Sequence, residues 1–164
     1  MNQITKKNFV ERIETMIDSP HLIISESQFY GMHKEEILLN CALLSVNRIR
    51  GGTVFLVIKD QGDLQRIVDL ILQKKTVVPL LKFEGFNGKS NIYACITFEN
   101  NTRLYVFHLL KCKEIEWFYQ KNFIDCLVYQ RIDFLKKQNE YNLLMERLKS
   151  NNLQYHVNQI ELTE

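Results

Sequence analysis

The chain has 164 residues, enough for one domain that buries roughly two thirds of the surface its unfolded form exposes. Hydrophobic residues make up 46% and charged residues 24%, a globular balance that excludes intrinsic disorder. A formal net charge of +2 supplies no global field for nucleic acid or a membrane surface, although it leaves room for a local basic patch.

The opening stretch, MNQITKKNFVERIETMI, lacks the continuous apolar region of a signal peptide, and no run approaches about 20 apolar residues. The expectation is a single cytoplasmic domain over 1–164 with no membrane association. Cys41, Cys95, Cys112 and Cys126 form no C-x-x-C pair. They are expected to be reduced core thiols, Cys41 and Cys95 most plainly because they sit in apolar runs.

In chain order, Phe9, Ile13, Met16 and Ile17 fall at helical spacing and predict an amphipathic helix over 5–18. Thr5 is the expected N-cap, and Pro20 disfavours the α conformation just before it. His21–Ile24 reads as a short buried strand, followed by the polar loop SESQFYGMH. Lys34–Arg50 is apolar around most of its circumference, so it predicts a helix packed on a sheet and on other helices. Arg48 and Arg50 suit its C-terminal dipole, and Gly51-Gly52 stops it.

Thr53–Ile58 (TVFLVI) is an unbroken β-branched and aromatic run, expected as a central strand covered on both faces. Asp60 or Gly62-Asp63 opens a second helix carrying Leu64, Ile67, Val68 and Ile71. The alternation of strand and helix predicts an α/β fold, three-layered, with a mostly parallel sheet.

The stretch 76–91 holds Pro79, Gly85 and Gly88 and remains undecided. Ile92–Phe98 and Arg103–Leu109 predict a β-hairpin turning at Asn100-Asn101, since Asn tolerates positive φ. Cys126–Tyr129 predicts a short buried strand. Residues 132–149 read as a helix with Tyr141, Leu144, Met145 and Leu148 on one stripe. The last dozen residues give no clear signal.

This element order resembles the N-terminal ATPase core of the large terminase subunit, the DNA-packaging motor of tailed phages and herpesviruses. The resemblance runs from His21 to about Ser150. It implies a P-loop-NTPase-like fold, with Ser27-Gln28-Phe29-Tyr30-Gly31-Met32-His33 standing where that family carries S-R-x-x-G-K-T. Position by position, the family's loop arginine falls on Gln28, its phosphate-binding lysine on Met32 and its Mg²⁺-binding hydroxyl on His33. Its two acidic residues fall on Gln130 and Arg131.

Phosphoryl transfer needs phosphate charge neutralised and a metal held by hard oxygens, and an arginine in the metal's place repels it. The resemblance therefore implies a pseudo-ATPase of a phage or mobile element, with no cofactor and no metal. It would work in the host cytoplasm as an accessory or structural binding factor. Shifted registers bring Lys34 toward a phosphate, with Asp125 or Asp133 as substitute carboxylates, but they break the loop's spacing. Lys34-Glu35-Glu36 reads more simply as a polar first helical turn.

Two other readings stand beside this one. A metal-dependent nuclease would use Lys59 and Asp60, but valine occupies the place of the first acid in an E-x-K triplet. A nucleic-acid-binding accessory protein would use the basic pairs at helix ends (Arg48, Arg50, Lys74, Lys75, Lys136, Lys137) and aromatics near Lys113 and Lys121. The four histidines, His21, His33, His108 and His156, lack metal-ligand spacing, and His108 reads as structural. For a protein partner or self-association, the contact candidates are Phe29, Tyr30, Trp117, Phe118 and Tyr119, because Trp and Tyr dominate interface hot spots.

Overall fold

In the computed structural model the described residues are 3–58, 61–80, 82–89, 93–108, 124–130, 139, 142, 146 and 158–164. In chain order the elements are α1 (Phe9–Glu14), β1 (His21–Ser25), α2 (Lys34–Arg48), β2 (Thr53–Ile58) and α3 (Gln61–Leu72). Then come β3 (Phe83–Lys89), β4 (Tyr93–Phe98), β5 (Arg103–His108), β6 (Cys126–Gln130) and β7 (Asn158–Thr163).

The strands form one seven-stranded sheet in the order β1-β7-β6-β2-β5-β4-β3. The first five run parallel, with β4 antiparallel to both β5 and β3. The fold is thus α/β with a mostly parallel sheet, as expected. Helix α2 packs against both α1 and α3, and α2 and α3 lie against the sheet.

Strand β2 sits mid-sheet and all six of its residues are buried. Alternate side chains (Val54, Leu56, Ile58) join the core under the helices, with Cys126 and Val128 of β6 and Ile160 and Leu162 of β7. The opposite face is also buried. There Phe55 meets Phe107 edge-on, with ring centroids 5.1 Å apart, and Tyr105 at 5.8 Å. The predicted helix over 132–149 lies outside the described residues except for Asn139, Asn142 and Glu146, which are helical.

Several expectations are corrected. The first helix is shorter than 5–18, and its N-cap is Asn8 rather than Thr5. Asn8 Oδ1 accepts from the Thr5 N–H at 2.7 Å, which closes a local turn and holds Thr5 outside the helix. Strand β1 is not buried on both faces: Leu22 and Ile24 point into the core while the alternate residues His21 and Ile23 point to the other face and are exposed. The undecided stretch contains β3, and the final residues form β7. The hairpin turn holds Asn101 at φ +65°, the left-handed conformation predicted for it.

The amino edge of the sheet is tied by polar groups. Thr102, fully buried, donates its hydroxyl to the Ile49 carbonyl and accepts from the Gly51 N–H. Asn100 Nδ2 donates to the Val46 carbonyl at 2.8 Å, satisfying an open carbonyl at the end of α2. Asp125 Oδ2 accepts from the Thr53 N–H at 2.8 Å and joins the starts of β2 and β6. These bonds fix α2 relative to the central strands, and α2 positions the loop considered next.

Candidate functional site

Because β1, β7 and β6 are parallel, their carboxyl ends share one edge of the sheet. Ser25 is level with Thr163, and Gln130 with Leu162. Two strand spacings separate the end of β1 from the end of β6, about 10 Å. The loop after β1 and the end of β6 therefore come together at one edge. Gln130 is buried, whereas Arg131 lies outside the described residues.

The loop is closed by its own hydrogen bonds. A single 3-10 turn, Glu26–Gln28, is capped by Ser25, whose N–H donates to Gln28 Oε1 at 2.7 Å. The Ser27 N–H donates to Ser25 Oγ, and the Phe29 N–H to the Glu26 carbonyl at 3.1 Å. The Tyr30 N–H donates to the Ile4 carbonyl at 2.8 Å, and the Ile4 N–H to the Gln28 carbonyl at 2.7 Å. The His33 N–H faces Glu36 Oε1 at 3.5 Å.

Phosphate cradles are built from successive backbone N–H groups pointing at one anion. Here the series is broken at Ser25, Ser27, Phe29, Tyr30 and His33. Gly31 adopts φ +72°, and a Cβ there would meet nothing within 4 Å. The glycine therefore serves the turn rather than the close approach of a ligand.

Charge at this edge is mixed and rich in carboxylates. Met32 is half-buried against the core, His33 is exposed, and Lys34 makes no ion pair among the described residues. Glu35 and Glu36 occupy the first turn of α2, where they already complement the helix dipole. Their side chains are only 12% and 16% exposed. Arg66 Nη1 reaches Glu35 at 3.3 Å and Asp63 at 3.6 Å, and Lys6 Nζ reaches Glu36 at 3.4 Å. An open groove of about 560 Å³ runs between α2 and α3, lined by Glu35, Glu36, Arg66, Asp69 and Lys75 among others. Ser25 Oγ donates to the Glu164 carbonyl at 3.3 Å, which brings another acidic residue to the loop.

The contact candidates divide. Phe29 is buried, with its ring centroid 6.1 Å from that of Phe9, and so is a core residue rather than a contact residue. Tyr30, its neighbour, is 67% exposed. Trp117, Phe118 and Tyr119 lie outside the described residues, as do Lys59 and Asp60.

Cys41 and Cys126 are buried as expected, while Cys95 is only half-buried; Cys112 lies outside the described residues. Burial pushes the Cys126 thiol up to about 11 and raises Cys41 and Cys95 as well, so none of the three is primed as a nucleophile. Among the described residues no group of three or more His, Cys, Asp or Glu side chains is placed to hold a metal ion. No described helix is long and apolar enough to cross a membrane.

The pairing of Ile4 with the loop was beyond sequence reasoning. It is a single parallel bridge, Ile4 to Phe29, made by residues that carry no strand pattern. Compared with known proteins, the chain matches no family model, no curated protein and no solved structure.

Proposed function

We propose that this chain is a non-catalytic binding protein on a terminase-like, P-loop-like scaffold, a pseudo-ATPase serving a phage or other mobile element. Its work is to bind a protein partner or its own copies in the cytoplasm, as an accessory or structural factor. One observation carries the reading: the amides of the loop that would cradle phosphates are already bonded within the chain, at Ser25, Ser27 and Phe29 inside the loop and at Tyr30 to Ile4, and the loop is flanked by Glu35 and Glu36. An incoming triphosphate would have to break those bonds and approach two carboxylates, with Met32 and His33 at the loop positions of the family's lysine and hydroxyl and neither carrying a fixed positive charge. The reading needs the loop after β1 and the end of β6 to lie near each other, and the two strands share a carboxyl edge with one strand between them.

Isothermal calorimetry with ATP–Mg²⁺ tests the reading. Binding should be undetectable at millimolar nucleotide, and turnover should equal that of buffer. Micromolar affinity that Lys34→Ala abolishes would overturn it and restore a working nucleotide site in the shifted register.

A further inference from the structure

We propose that the carboxyl ends of β2 and β6 frame a binding site for a small neutral molecule bearing an amide-type group, with the Gln130 carboxamide as its recognition element. Three observations meet there. The two central strands pair over Val54–Leu56 and Cys126–Val128 and no further, although β2 stays paired with β5 through Ile58 and β6 with β7 through Gln130. These neighbours thus part at their carboxyl ends. The chain also leaves them in opposite directions along the sheet, from β2 toward β3, β4 and β5 and from β6 toward β7. In open α/β sheets such a switch point, outside the carboxyl ends of the strands, is where ligands lodge. The third observation is Gln130 itself, the last residue of β6. It is 3% exposed, and among the described residues its carboxamide has no hydrogen-bonded partner.

A buried carboxamide without a partner forfeits its donors and its acceptor, and a chain that keeps such a group at a cost in stability has another use for it. By strand alternation Gln130 lies on the same face of the sheet as Cys126 and Val128, the face that α2 covers. Its neighbours on that face are apolar and buried. Leu162 is level with it on β7, and Ile58 stands across the parting on β2. A charged ligand would find no counter-charge on these walls. A neutral amide, lactam or urea answers the carboxamide's donors and acceptor with its own and leaves the rest to apolar contact. The site shares only Gln130 with the nucleotide reading and takes a ligand without phosphate, so the two stand or fall separately.

Two measurements test the proposal. Gln130→Met keeps the length of the side chain and removes its polar atoms. The resting chain should be more stable without the unpartnered carboxamide, with Tm raised by at least about 2 °C. The second measurement follows the side-chain amide signals of Gln130 and the backbone amide of Leu162 by NMR. The probes are 2-pyrrolidinone, a small lactam, and cyclopentanone, its match in shape without the N–H donor. The lactam should shift these signals saturably with a Kd below about 20 mM, and the ketone should bind at least about fivefold more weakly. In Gln130→Met the saturable shift at Leu162 should vanish. A Tm that falls or stays unchanged in Gln130→Met overturns the proposal, because the carboxamide then serves the fold. So does a lactam that fails to saturate the parent chain, binds no better than the ketone, or binds Gln130→Met equally well.

Discussion

Asn40 lies inside α2 and is 1% exposed, yet its side chain makes three hydrogen bonds. Nδ2 donates to the Glu36 carbonyl at 2.7 Å, while Oδ1 accepts from the N–H groups of Val77 at 2.8 Å and Val78 at 3.0 Å. The carboxamide thereby anchors the connection between α3 and β3 onto α2. Replacing it with leucine preserves size and helix propensity but leaves two main-chain donors without an acceptor. Each orphaned buried donor costs about 1–3 kcal/mol, and the added apolar burial returns about 1 kcal/mol, for a net loss of about 1–5 kcal/mol.

In a domain of this size a loss of that order lowers Tm by roughly 2–20 °C. Urea denaturation of Asn40→Leu, with the exposed Asn47→Leu as control, measures it, and the control should stay within about 0.5 kcal/mol of the parent. Val77 and Val78 should also lose hydrogen-exchange protection ahead of β2. A loss below about 1 kcal/mol, or unchanged protection at Val77 and Val78, would refute the claim that this one side chain carries the connection.

Three further outcomes follow from the packing. Phe29→Ala should cost about 3–5 kcal/mol by opening a cavity beside Phe9, while Tyr30→Ala should change stability by less than about 0.5 kcal/mol in denaturant titrations. Gly52→Ala should destabilise by about 1–3 kcal/mol, since a Cβ would overlap Ile49 and stand 2.5 Å from the Asp125 oxygen that holds the Thr53 amide; thermal unfolding reads this directly. Stability should also fall as pH rises above about 9, the ordinary range of a free thiol. The folded chain keeps Cys126 protonated up to about 11 and Cys41 higher still, so the unfolded chain releases protons first. The loss is about 1.4 kcal/mol per thiol per pH unit over that window, and Cys41→Ala should flatten the slope of unfolding free energy against pH.

Much of the architecture could be read from local pattern, and the failures have physical causes. The run Thr53–Ile58 could only be a doubly buried strand, and the apolar girth of Lys34–Arg48 required a packed helix. The hairpin was legible because Asn101 suits positive φ. Strand β3 was not, because Phe83–Lys89 carries Gly85, Gly88, Glu84 and Lys89; its extended form comes from pairing with β4. Strand β7 offers only Ile160 and Leu162 as an alternating signal, and its place between β1 and β6 is a tertiary choice. At the candidate site, the loop and its turn glycine were visible in the sequence. The opposite fates of Phe29 and Tyr30 were not, since a turn has no periodicity that sorts inward from outward. Nor could any local pattern reveal that Ile4 occupies the loop's outward backbone groups.

The amides of Ser27, Phe29, Tyr30 and His33 already face acceptors within the chain. Titrating ATP–Mg²⁺ while following the backbone N–H resonances of Ser27, Phe29, Tyr30 and His33 addresses this directly. Those resonances should stay fixed up to millimolar nucleotide; saturable shifts at Tyr30 and His33 with a Kd in the micromolar range would contradict the account.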